Sequence, residues 1–172
     1  MRRAVTVRVV GPMQWIVYPA LITAAVTFLL ATPVKVFGLS LPEPIIPMVL
    51  AFAWPLIRPS IVAPVVLMVL GLFLNFILGG PLGLWSLSLL AIYAVILGAR
   101  SILIGQDTMV LFIWYAGCCG LGFLLAYLIV TVITGTPPSL LALIGQVVPT
   151  LLLFPFANSM IERFDDGDVR FR

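Results

Sequence analysis

Twenty-five consecutive residues, Met109 to Ile133, pass without a single charged side chain. As a helix that run rises about 37 Å, more than the roughly 30 Å of a bilayer's hydrocarbon core. Few folds accommodate such a segment, and the rest of the chain does not provide a soluble core to enclose it. Of the 172 residues, 63% are apolar and 9% charged, against roughly 45–50% and 25% in a soluble domain. The sequence therefore predicts an all-α integral membrane protein.

Charged residues and Gly/Pro clusters divide it into six spans. These are Trp15 to Thr32, Pro44 to Ile57, Ile61 to Leu78, Leu82 to Leu97, Met109 to Ile133 and Ser139 to Met160. The second is short and carries Pro44, Pro47 and Pro55, so it must kink or enter only part of the bilayer unless neighbours satisfy the carbonyls that proline frees. Residues 1–14 form a cytoplasmic N-terminal segment, 15–160 one six-helix transmembrane bundle, and 161–172 a charged cytoplasmic tail. The opening "MRRAVTVRVV" has the charge of a secretory leader, but no small-residue cleavage site follows, which predicts an uncleaved first helix.

Orientation follows from the basic residues beside the span ends. With the N-terminus in the cytoplasm and six crossings, Arg2, Arg3, Arg8, Arg58, Arg100, Arg163, Arg170 and Arg172 share the cytoplasmic side, and Lys35 alone lies opposite. Omitting the second span would scatter these charges over both faces.

Composition narrows the chemistry. There is no His, and the two cysteines, Cys118 and Cys119, are adjacent within an apolar run, so neither a zinc cluster nor a disulfide framework is expected. The basic residues are dispersed between spans rather than gathered on a face, which argues against nucleic acid. No Asp, Glu, Lys or His falls clearly inside a span, removing the usual parts of a proton relay. Ser86, Ser88 and Ser159 have no His with which to build a hydrolase triad. No enzymatic activity, cofactor or metal is expected.

The remaining polar residues have structural readings. Asp107 is placed to cap the fifth helix. Glu162, Asp165, Asp166 and Asp168 lack the ligand spacing of a calcium loop and read as a solvated tail. Asn75, Gln146 and Asn158 read as hydrogen-bonding groups facing the bundle, since polar side chains in a membrane usually face neighbouring helices. Glu43, Asn75, Trp85 and Gln146 could instead form an outer pocket if they face one another. Gly117, Gly120 and Gly122 on the fifth span permit close helix approach, either inside the bundle or against a partner's helix. No internal duplication marks an inverted-repeat transporter.

"NFILGGPLGLWS", residues 75–86, is the one polar interruption in mid-bundle. Gly79 and Gly80 supply turn conformations closed to other residues, Pro81 can open the next helix, and Asn75 can tie the two helices together. The longer stretch 42–100 resembles the MreD family of bacterial rod shape-determining proteins. Gly71, Asn75, Gly79, Pro81, Leu82, Gly83, Tyr93 and Arg100 follow the family's central signature in order and approximate spacing, with Asn75 standing where many members carry Asp.

The resemblance implies a non-enzymatic scaffold of the cell-elongation machinery in the bacterial inner membrane. Its partner would be the bitopic protein MreC, linking MreB filaments to RodA and its transpeptidase in peptidoglycan synthesis. It also implies a fold similar to the substrate-binding subunits of energy-coupling-factor vitamin transporters, and such a subunit is the alternative function.

Overall fold

A computed structural model describes residues 8–11, 13–30, 35–36, 39–40, 43–165 and 169–171. The expectations for Arg2, Arg3, Thr32, Asp166, Asp168 and Arg172 lie outside the described residues.

A π-helical turn, Met13–Val17, leads into α1, Tyr18–Leu30. Then come α2 (Pro47–Ile57), α3 (Val62–Leu78), α4 (Leu84–Leu103), α5 (Thr108–Thr134), α6 (Leu140–Leu151) and α7 (Phe154–Asp165). The last two are the halves of one apolar stretch, so six helical segments result, as the charge breaks predicted. Among the described residues, two short ladders accompany the helices. β1 (Arg8–Val10) pairs in parallel with β4 (Val169–Phe171), and β2 (Lys35–Val36) pairs antiparallel with β3 (Leu39–Ser40). The first ladder brings the two ends of the chain side by side.

Among the described residues, three stretches are long and apolar enough to cross a membrane: Leu84–Leu103, Thr108–Thr134 and Leu140–Phe164. Their outer faces are hydrocarbon. Val132 is 82% exposed and Leu141 84%, and large exposed apolar side chains also cover α1 and α3. Soluble monomers rarely expose contiguous apolar surface on this scale.

The short second segment occupies the centre. All residues from Pro47 to Leu56 are buried, enclosed by α1, α3, α4, α5 and α7. Its 11 residues rise only about 16 Å, so α2 alone does not traverse a bilayer core. Pro47 stands at the start of the helix, where a missing N–H costs least, while Pro55 sits inside it. Trp54, fully buried, donates its indole Nε1–H to the Trp15 carbonyl at 3.1 Å. Phe52 meets the Tyr115 ring edge-on at a centroid distance of 5.2 Å.

Several boundaries differ from the sequence expectation. α4 continues to Leu103, carrying Arg100 in its last turn rather than beyond its end. Arg favours helix, and its long stem lets the charge reach out while the backbone stays helical. The final helix runs on to Asp165, past Met160, with Asn158 donating to Glu162 at 2.6 Å one turn later. Its course is broken at Leu152 and Leu153, between Pro149 and Pro155, whose missing amide hydrogens interrupt the ladder. Asp107 stands at the N-cap of α5, yet its side chain makes no capping bond; its carbonyl accepts from the Leu111 N–H.

Candidate functional site

The joint between α3 and α4 is built from the residues of the central signature. Three glycines in the connection adopt positive φ: Gly79 at 70°, Gly80 at 128° and Gly83 at 88°. A side chain at any of them would be strained, which is why this reversal needs glycine. Pro81 lies inside the connection rather than at the first turn of α4, which begins at Leu84. The left-handed Gly83 intervenes, and Pro81 contributes its carbonyl instead of a helix start.

Asn75, buried near the end of α3, uses both ends of its amide. Nδ2 donates to the Pro81 carbonyl, and Oδ1 accepts the Trp85 backbone N–H at 3.1 Å. Trp85 is in the first turn of α4, where backbone N–H groups lack intrahelical acceptors. Gly83, the N-cap residue, has no side chain to supply one. Asn75 therefore caps α4 from the preceding helix, a task that needs an acceptor, while the bond to Pro81 needs a donor. An amide offers both; an ionised carboxylate offers only acceptors.

One turn before Asn75, α3 and α4 approach at Gly71. A Cβ there would lie 2.4 Å from both the Cα and the N of Ser86, which is backbone and cannot yield. The Ser86 hydroxyl donates to the Met68 carbonyl at 2.9 Å. Tyr93, further along α4, donates its hydroxyl to the Ser60 carbonyl at 3.1 Å and accepts the Ser60 N–H at 3.4 Å, holding the α2–α3 connection. Gly71, Asn75, Gly79, Pro81 and Gly83 thus act in one joint, while Tyr93 ties α4 to the far end of α3 through the α2–α3 connection. Leu82 is 75% exposed and makes no described polar contact.

A second polar node received no signal in the sequence. The Thr150 hydroxyl donates to the Gln146 carbonyl at 2.6 Å and accepts the Ile45 N–H at 3.1 Å. Tyr115 donates to the Thr150 carbonyl at 2.8 Å. This carbonyl sits at the α6–α7 break, where regular helix bonding fails. Three segments, α5, α6 and the approach to α2, meet through these groups.

The residues expected to line an outer pocket separate into distinct contacts. Asn75 and Trp85 are joined through the α4 cap, with the Trp85 ring edge-on to Phe123 at 5.9 Å. Gln146 contributes its backbone carbonyl to the Thr150 node, and Glu43 lies two residues before Ile45. None of the four lines either described cavity.

The glycines of α5 also part company. Gly122 faces inward, where an added Cβ would meet Ile92 Cδ1 at 2.9 Å and Met48 Cε at 3.0 Å. It belongs to the packing between helices. Gly117 and Gly120 are exposed, with nothing within 4 Å of an added Cβ. They lie between exposed Ile113 and Leu124 on one outward stripe of α5. Cys118 and Cys119 are buried free thiols on the opposite side.

The larger cavity, about 710 Å³, is a lateral crevice between α1 and α7. Ile22 and Val26 form one wall, Phe156 and Met160 the other, and Val49 and Leu50 of α2 the floor. A smaller cavity of about 120 Å³ lies where α4 turns into α5, beside Asn158 and Glu162. Among the described residues, no three His, Cys, Asp or Glu side chains gather as a metal site requires. Comparison of the chain with family models, with curated proteins and with solved structures finds no match.

Proposed function

We propose that this protein is a non-enzymatic scaffold of the bacterial inner membrane that binds MreC and helps couple MreB filaments to peptidoglycan synthesis by RodA and its transpeptidase. The observation that carries the reading is the α3–α4 joint. Gly71, Asn75, Gly79, Pro81 and Gly83, which carry most of the MreD-like signature, shape this joint by close approach, positive φ and hydrogen bonds, and Tyr93 ties α4 to the connection before α3. The likeness therefore rests on positions that determine architecture rather than on scattered apolar matches.

The outward stripe of α5 supports a docking role. Lipid tails are as apolar as a helix surface, so helices associate in a bilayer through close packing and hydrogen bonds, which small residues favour. Gly117 and Gly120 leave space that a partner's single transmembrane helix can fill. In this reading all six segments belong to the membrane domain, with the short α2 shielded by its neighbours, and both ends face the cytoplasm. The β1–β4 pairing, which brings the ends together, and the eight-to-one distribution of basic residues support that topology.

Depletion in a rod-shaped bacterial host tests the reading. Cells should round as the protein is lost and recover rod shape on re-expression. Unaltered shape together with a specific nutrient requirement would reject it in favour of a vitamin-transporter subunit.

A further inference from the structure

We infer that the crevice between α1 and α7 is a binding site for an anionic glycerophospholipid, one acyl chain lying in the crevice and the phosphate at Arg163. The inference goes beyond a scaffolding role and rests only on the membrane placement proposed above.

The crevice is apolar along its length and polar at one end. Gln14, at the first turns of the chain's first helical segment, and Ser159 and Arg163, one turn apart on α7, line it together. Residues four apart share a helix face, so Ser159 and Arg163 point the same way. The adjacent β1–β4 ladder marks this as the end where the two termini meet, the cytoplasmic end in the proposed topology. Among the described residues no carboxylate pairs with Arg163, which is exposed. A guanidinium can donate two parallel hydrogen bonds to a phosphate, and a hydroxyl and an amide beside it offer further donors.

The dimensions match a lipid tail. From Leu153 to Phe164, the α7 wall rises about 17 Å, close to the roughly 15 Å that is half of a 30 Å hydrocarbon core. Charge points the same way. The cytoplasmic ends of membrane helices are enriched in Lys and Arg, which would repel Arg163, whereas a phosphodiester complements it.

The test is native mass spectrometry of the full chain released from bilayer nanodiscs containing equal phosphatidylglycerol and phosphatidylcholine with identical acyl chains. Wild type should retain phosphatidylglycerol at least fivefold over phosphatidylcholine. Arg163→Gln, an exposed change that leaves the core untouched, should bring that ratio close to one. Val26→Trp should fill the crevice and reduce retention of both lipids severalfold, while Leu141→Trp, on an outward face elsewhere, should leave both unchanged. Equal retention of the two lipids by wild type, or a preference that survives Arg163→Gln, would overturn the assignment. So would a photo-crosslinker at Ile22 that captures a protein helix rather than lipid in intact membranes. The lipid measurement requires no MreC, so its failure is distinguishable from failure of the scaffold reading.

Discussion

Replacing Asn75 separates the two tasks that its amide performs. Asn75→Leu removes the acceptor that caps the Trp85 N–H and the donor that serves the Pro81 carbonyl. Loss of a side-chain cap costs about 0.5–2 kcal/mol. Leaving a buried carbonyl short of a donor costs about 1–3 kcal/mol. The lower part of that range applies, because the Leu84 N–H also reaches Pro81 O at 3.3 Å. The expected total is about 2–3 kcal/mol. Asn75→Asp keeps the cap and places negative charge near the positive end of α4, an effect worth about 0.3–1 kcal/mol, but turns a donor toward Pro81 into a second acceptor. Its expected cost is about 1–2 kcal/mol at neutral pH. Acidification returns a proton to the introduced carboxyl and restores a donor, so this variant should gain on wild type as pH falls, while Asn75→Leu should not. Reversible unfolding of the purified protein, by denaturing-detergent titration at two pH values, measures all three. Wild-type stability in Asn75→Leu, or an Asp variant less stable than the Leu variant, would refute the account of the joint.

Other perturbations distinguish packing inside the bundle from its outward surface. Gly71→Val should prevent normal α3–α4 packing and sharply reduce the yield of folded protein, because the Ser86 backbone 2.4 Å away cannot move aside; size-exclusion chromatography reads this directly. Gly120→Leu, with open space around it, should leave unfolding unchanged but weaken recovery of MreC; full recovery with a stable fold would remove that face as the interface. Tyr115→Phe should cost about 0.6–2 kcal/mol, the range for hydrogen bonds between membrane helices, by removing the donor to the Thr150 carbonyl. A reporter fused after Arg172 should register the cytoplasm, and activity on the other side would break the six-crossing topology.

How much of this was legible depended on whether a residue interrupts the hydrocarbon pattern. The charge and Gly/Pro breaks located six segments, and the Gly-rich connection after Asn75 announced a reversal because few other residues accept its backbone angles. The sequence also suggested that Asn75 links two helices, but not that it caps one and anchors the connection of the same hairpin. Pro81 suits a first helical turn as well as a loop, and the left-handed Gly83 decides between them. Pro44, Pro47 and Pro55 imply that the second segment kinks or enters only part of the bilayer unless neighbours satisfy its freed carbonyls, and enclosure by neighbouring helices is what allows so short a helix to lie in the centre. Tyr115 and Thr150 carry no periodic or charge signal, and their partners lie 35 and 105 residues away in sequence. Nor could composition divide Gly122 from Gly117 and Gly120, because that depends on how α5 is rotated against α4.

The most direct test of the scaffold reading is co-purification with MreC from a common membrane. The two full-length proteins, expressed together with a tag on this chain alone, should elute as one complex after solubilisation and size-exclusion chromatography. MreC should be lost when its own transmembrane helix is exchanged for an unrelated one. Separate elution of two intact, folded proteins, or recovery of MreC regardless of which helix it carries, would contradict the proposal that this bundle positions its partner through a transmembrane contact.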